Sequence, residues 1–211
     1  MIREVALEDI SDGKLYDGDD LVKVNCHDCI GCDKCCHGMG DTIVLDPYDV
    51  YSLTTGLGVT MAELLQDNVE LGMADGLILP HLKMQEGSGS CGFLDAAGRC
   101  SVHPFRPGIC RLFPLGRYYE GENFRYFLQK GECPKENRTK IKVKQWLGIP
   151  EFRKYETFVR DWHGYIKKKQ AEAAASEADR KAICMELLQR FYLTPYEKSD
   201  FYPQFYDRMQ I

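Results

Sequence analysis

Cys26-His27-Asp28-Cys29-Ile30-Gly31-Cys32-Asp33-Lys34-Cys35-Cys36 places five thiols within eleven residues, as three successive C-x2-C steps ending in an adjacent pair. A two-residue spacer lets two sulfurs converge on one ion while the intervening backbone N–H groups turn inward to hydrogen-bond the thiolates. One such step is a weak signal, but three overlapping ones specify metal binding and make the surrounding fold a metal-centred one. Neighbouring side chains point in different directions. One of Cys35 and Cys36 can therefore serve a second ion, act as a redox thiol or be inert.

Working outward, a second group follows in Cys91, Cys100 and Cys110, with Cys133-Pro134 beyond it. Four tetrahedral thiolates satisfy zinc, and four cysteines equally satisfy a [4Fe-4S] cluster. The C-x2-C-x2-C run with a distant Cys-Pro is similar to the bacterial ferredoxin spacing, although there the fourth cysteine lies close in sequence and Cys133 does not. His27, His37 and His103 sit beside cysteines and are alternative ligands, which so many thiols make unnecessary. Asp17-Gly18-Asp19-Asp20 lacks the spacing and terminal Glu of a calcium loop and reads as a turn.

The chain has ten cysteines in 211 residues, and all but Cys184 lie between Cys26 and Cys133. Disulfides would require an oxidising compartment. The acidic start, MIREVALEDISDGKLYDGDD, has no apolar run of signal-peptide length, and no segment reaches the length needed to span a bilayer. The expectation is a cytoplasmic chain with reduced or metal-bound thiols and no membrane association. A net charge of -5 argues against a nucleic-acid partner.

Composition changes near residue 135, which divides the chain into an N-terminal extension (1–25), a cysteine-rich metal-binding domain (26–134) and a C-terminal helical region (135–211). Fold class α+β is expected: a small irregular core of short strands and short helices, followed by a helical extension. Thr42-Ile43-Val44-Leu45 and Leu77-Ile78-Leu79 read as short strands. Asp46-Pro47 reads as N-cap and first residue of a helix carrying Val50, Tyr51 and Leu53. Thr60 with Glu63 has the form of a capping box, opening a helix that Leu64, Leu65 and Leu71 complete before Gly72. Tyr118 and Phe124-Tyr126-Leu128 flank the turn-like Glu120-Gly121-Glu122-Asn123, which predicts a hairpin. Beyond residue 135, Phe152, Tyr155, Val159, Trp162 and Ile166 share one helical face, expected to pack on the cysteine-rich core. Residues 167–182 read as a solvated helix or a helix-helix connection. A last helix carries Ile183, Leu187 and Phe191 and ends before Pro195; the aromatic-rich tail beyond it is expected to dock. Cys184, beside Ile183 and Leu187, reads as an inert core residue.

Cys29-x2-Cys32-x2-Cys35-Cys36, Cys91-Gly-Phe-Leu, Gly98-Arg99-Cys100-Ser-Val-His and Arg106-Pro107-Gly-Ile-Cys110-Arg111-Leu-Phe-Pro114 together resemble the YkgJ-like CxxCxxCC family, described as a zinc- or iron-chelating domain. The segment from Leu45 to Leu53, with Asp49, fits as well. The resemblance covers roughly residues 26–134. It implies a cysteine-ligated metal centre on a small mixed scaffold, with Cys29, Cys32, Cys35, Cys36, Cys91, Cys100, Cys110 and Cys133 as metal ligands and Cys26 additional. The same motif occurs in flagellin lysine N-methylases, where it is associated with an iron-sulfur cluster. Those enzymes are much longer, and this chain has no Gly-rich methyl-donor loop.

Taken together, the expected function is that of a cysteine-ligated metalloprotein binding one or two iron-sulfur clusters, [4Fe-4S] favoured, with a redox or protein-modification-support role and an unidentified protein or redox partner. The alternative is a zinc-stabilised protein-interaction module. Arg106 and Arg111 bracket Cys110 and are the candidate cofactor-binding residues, because guanidinium donors stabilise the negative charge of a thiolate-bound cluster. The competing reading has them pair with carboxylates and fix the Pro-rich loop. No catalytic residue is indicated.

Overall fold

A computed structural model describes residues 6–26 and 32–210. In chain order the elements are α1 (Leu7–Ile10), β1 (Leu21–Asn25), α2 (Pro47–Leu57), α3 (Met61–Asp67), β2 (Val69–Ala74), β3 (Leu77–Leu82), α4 (Gly108–Leu112), β4 (Leu115–Glu120), β5 (Asn123–Leu128), β6 (Thr139–Lys142), α5 (Val143–Leu147), α6 (Phe152–Ala173), α7 (Glu177–Leu187) and α8 (Phe201–Met209). Short 3-10 turns occupy Lys34–Cys36 and His103–Phe105, and a π-helical turn covers Leu188–Leu193. The strands form small two-stranded antiparallel sheets, so the fold is α+β, as the sequence predicts. The chain divides into two compact units, one of Cys36–Pro107 with residues from Tyr165 onward, the other of residues up to Cys35 with Gly108–Gly164.

In the first unit, local chemistry sets both early helices. Asp46 accepts from the Asp49 N–H and Asp49 reciprocates, Pro47 occupies the first turn, and Gly58 closes α2 in the left-handed region at φ 72°. Thr60 and Glu63 form the same reciprocal box at α3. The helix then stops at Asp67, whereas the apolar spacing extends it to Leu71. Leu71 and Gly72 instead belong to β2, because Asp75 (φ 47°) and Gly76 (φ 87°) make a tight turn that pairs Val69–Ala74 with Leu77–Leu82. The Thr42–Leu45 run is not a strand; it contributes an isolated bridge, Val44 to His81.

After a break that Ser176 caps, α7 continues into the π-helical turn. Cys184, Leu187, Phe191 and Tyr192 are buried there, and the Tyr192 hydroxyl donates to the Leu45 carbonyl at 3.1 Å. The tail docks through Phe201, whose ring centroid lies 5.1 Å from Tyr48, 5.3 Å from Tyr51 and 5.4 Å from Tyr196. Arg208 locks the segment by donating to the carbonyls of Arg190, Thr194 and Pro195 while lying 3.6 Å over the Tyr196 ring.

In the second unit, β1 pairs with β6, and β4 and β5 form the predicted hairpin, Glu120 opposite Asn123 around Gly121-Glu122. Tyr155, Val159 and Trp162 are buried along the face of α6 that the sequence periodicity marks out, and Phe158 joins them. Arg117 lies between the rings of Phe124 and Tyr155 and donates to the Tyr155 hydroxyl.

Candidate metal centre

Backbone pairing brings two of the expected ligands side by side. The Cys91 N–H donates to the Cys36 carbonyl at 2.7 Å, the Gly38 N–H donates to the Gly89 carbonyl at 2.9 Å, and His37 bridges Ser90 between them. Cys36, the last residue of its 3-10 turn, and Cys91 thus flank the His37–Ser90 bridge and are joined through their backbones. The Cys91 strand is fixed on its other side by the bridge from Met84.

Cys100 sits on the next hairpin. Leu94 bridges Cys100, and the turn between them is closed by Asp95, whose carboxylate accepts from the N–H groups of Ala97 and Arg99 at 2.9 Å each. Gly98 takes φ 70° in that turn. The Cys91 carbonyl in turn accepts from Leu94, and the Cys100 carbonyl from His103. Cys36, Cys91 and Cys100 thus all belong to the first unit. Their positions follow from backbone pairing over short stretches.

The remaining described family cysteines belong to the second unit: Cys32 and Cys35 in the run after β1, Cys110 on α4, and Cys133 in the irregular segment after β5. Cys26 closes β1 and is buried. Cys29 and His27 lie outside the described residues. No disulfide links the described cysteines. Among the described residues, no group of three or more His, Cys, Asp and Glu side chains is close enough to hold an ion. The cysteine-rich donor chemistry suits a thiophilic metal.

The two arginines reach different partners. Arg106 meets the ring Nε2 of His103 one turn before it. Arg111 donates to the carbonyl of Leu147 at 3.5 Å, at the C-terminal end of α5, where a cation also complements the helix dipole. Of the histidines, His37 takes part in the ladder and His103 opens the 3-10 turn. Cys184 is buried, and its sulfur accepts the N–H of Ile78 at 3.2 Å. Its isolation among apolar residues in the sequence already signals that packing role. Among the described residues, no helix is long and apolar enough to cross a membrane.

A family model described as "CxxCxxCC: Putative zinc- or iron-chelating domain" matches residues 28–145. No curated protein and no solved structure matches the chain. With more than half of its length under that model, and with the C-x2-C-x2-C-C run and the Cys36–Cys91 pairing both within the match, the chain belongs to the CxxCxxCC family of zinc- or iron-chelating cysteine domains.

Proposed function

We propose that this protein binds iron through the family cysteines, as one or two iron-sulfur clusters, and serves a redox role toward a protein partner in a reducing compartment such as the cytoplasm. Cys29, Cys32, Cys35, Cys36, Cys91, Cys100, Cys110 and Cys133 are the thiolate donors in this reading. The observation that carries it is the donor set: eight family cysteines, none of those described in a disulfide. That is twice the number one tetrahedral zinc site uses. A bound cluster would supply one-electron transfer at a potential tuned by charge and hydrogen bonding.

The chain's own residues then have definite tasks. In this reading Cys36 and Cys91, joined through their backbones, serve as one pair of donors, and the Asp95 turn carries Cys100. Arg106 and Arg111 flank Cys110 in sequence, and in this reading their charge stabilises the thiolate-bound cluster. Anaerobically purified protein should be brown, with broad absorption near about 400 nm and acid-labile sulfide in proportion to iron. Colourless protein with stoichiometric zinc would overturn this reading in favour of the zinc-stabilised interaction module. Arg111→Gln should change the reduction potential while leaving iron content intact; an unchanged potential removes the role given to Arg111.

A further inference from the structure

The β2–β3 hairpin has two edges, and they are treated differently. A two-residue turn at Asp75-Gly76 makes Ala74 and Leu77 the closing hydrogen-bonded pair, so bonding alternates along the ladder. Gly72 with Leu79 and Glu70 with His81 are then the other bonded pairs. The N–H and C=O groups of Leu71 and Met73 on β2 and of Ile78 and Leu82 on β3, with the C=O of Pro80, which has no N–H, point outward. On the β3 side the outward groups are taken up. The Ile78 N–H donates to the Cys184 sulfur, the Pro80 carbonyl accepts from Leu45, and the Leu82 N–H donates to the Ile43 carbonyl.

On the β2 side, no described residue hydrogen-bonds the outward groups of Leu71 and Met73. Their side chains are also exposed, Leu71 by 46% and Met73 by 57%, and the cross-strand neighbour of Met73, Ile78, is exposed by 37%. Soluble proteins protect such edges with lysine, proline, a bulge or a covering segment. The sequence Val69-Glu70-Leu71-Gly72-Met73-Ala74 carries no lysine or proline, and its pairing runs without a bulge.

We infer that the β2 edge is a dimerisation surface on which a second copy of this chain pairs antiparallel about a two-fold axis at Gly72. The edge is self-complementary in that register. Leu71 of one copy falls opposite Met73 of the other, and each such pair exchanges both of its outward bonds, giving four inter-chain hydrogen bonds. Leucine meets methionine on one face, with the Ile78 side chains beside them. Glu70 falls opposite Ala74, so no like charges face each other. At the axis itself stands glycine, which brings no side chain of its own. It already makes room for a partner on its own hairpin, since a β-carbon at Gly72 would lie 2.4 Å from Nε2 of His81. The result is a continuous four-stranded sheet in which the exposed edge has disappeared.

The inference is independent of which metal is bound. Its test is the mass of the full-length, metal-loaded chain as purified, by sedimentation velocity or light scattering over a wide concentration range. A reversible monomer–dimer equilibrium is expected. Met73→Pro removes an outward N–H without touching the β2–β3 ladder, and Met73→Lys sets a charge on the edge. Each should raise the dimer Kd about tenfold or more, because symmetry applies the change twice. Both variants should keep the wild-type circular dichroism and metal content. Met185→Lys, at an exposed position on α7, should leave the Kd unchanged. A wild-type chain that stays monomeric throughout, or a dimer that neither Met73 variant weakens, overturns the inference.

Discussion

Phe201→Ala tests whether the C-terminal helix is an integral part of the first unit. Phe201 is 1% exposed and its ring contacts Tyr48, Tyr51, Tyr196, Tyr202 and Phe205 at centroid distances of 5.1 to 5.6 Å. Truncation to alanine removes about 100 Å³ of side chain. At about 24 cal/mol per Å³ of unrelaxed cavity that is about 2.4 kcal/mol, and the lost transfer free energy of the ring adds about 2 kcal/mol. The aromatic neighbours cannot collapse freely, since Tyr51 is held by its hydroxyl on the Ser199 carbonyl at 2.7 Å. A loss of about 4 kcal/mol is therefore expected, against about 1 kcal/mol for Phe201→Leu, which refills most of the volume. Guanidinium unfolding followed by far-ultraviolet circular dichroism measures the loss, while the fluorescence of Trp146 and Trp162, which both belong to the other unit, reports that unit separately. A loss below about 1.5 kcal/mol for the alanine variant would show that α8 merely rests on the surface.

Three other outcomes follow from the same structure. Gly56→Ala would ordinarily gain about 1 kcal/mol of helix propensity, but its β-carbon would lie 2.4 Å from Cγ of Phe105 and 3.0 Å from its Cβ; because those atoms are rooted at the backbone, a net loss of about 1–3 kcal/mol in thermal unfolding is expected, and a stabilised variant refutes the packing argument. The Glu156 carboxyl is pushed above the usual range by burial, which outweighs the hydrogen bond it accepts from Tyr126. The folded state thus holds that proton more tightly than the unfolded chain, so stability should fall as pH rises through the window above the ordinary carboxyl range; Glu156→Gln keeps the acceptor and should abolish that slope in the dependence of Tm on pH. Cys91→Ser should lower bound metal per chain, whereas Cys184→Ala should leave it unchanged while costing about 1–2 kcal/mol of stability; metal loss on Cys184→Ala would contradict its assignment to the core.

The features legible in the sequence are those whose causes are local. Asp46-Pro47 with Asp49, and Thr60 with Glu63, begin their helices where the caps demand, because a cap is an interaction across three residues. The β4–β5 hairpin was readable from its turn and alternation. The end of α3 was not, because Leu71 lies at a helical spacing from Leu64 yet gains more from pairing with Pro80 across the ladder that the Asp75-Gly76 turn closes. Thr42–Leu45 looks like a strand by composition but pairs with β3 only over Ile43–Leu45, as a single bridge at Val44. The cysteines stand out as candidate ligands from spacing, since thiols two residues apart suit one ion whatever the fold. That Cys36 is joined to Cys91 through the backbone was not legible, because register over 55 residues of separation depends on which segments pair.

Each unit draws on two separate stretches of chain, and the chain passes from one unit to the other between Cys35 and Cys36, after Pro107 and again within α6. Removing everything beyond residue 145 would take α7, the π-helical turn and α8 from the first unit and the buried face of α6 from the second. The stretch that the family shares is therefore not a cassette. Moved alone into another protein, it would carry its thiols without the apolar surfaces on which each half of its surroundings folds. Circular permutation, which keeps every stretch, is the kind of rearrangement this architecture tolerates better than truncation.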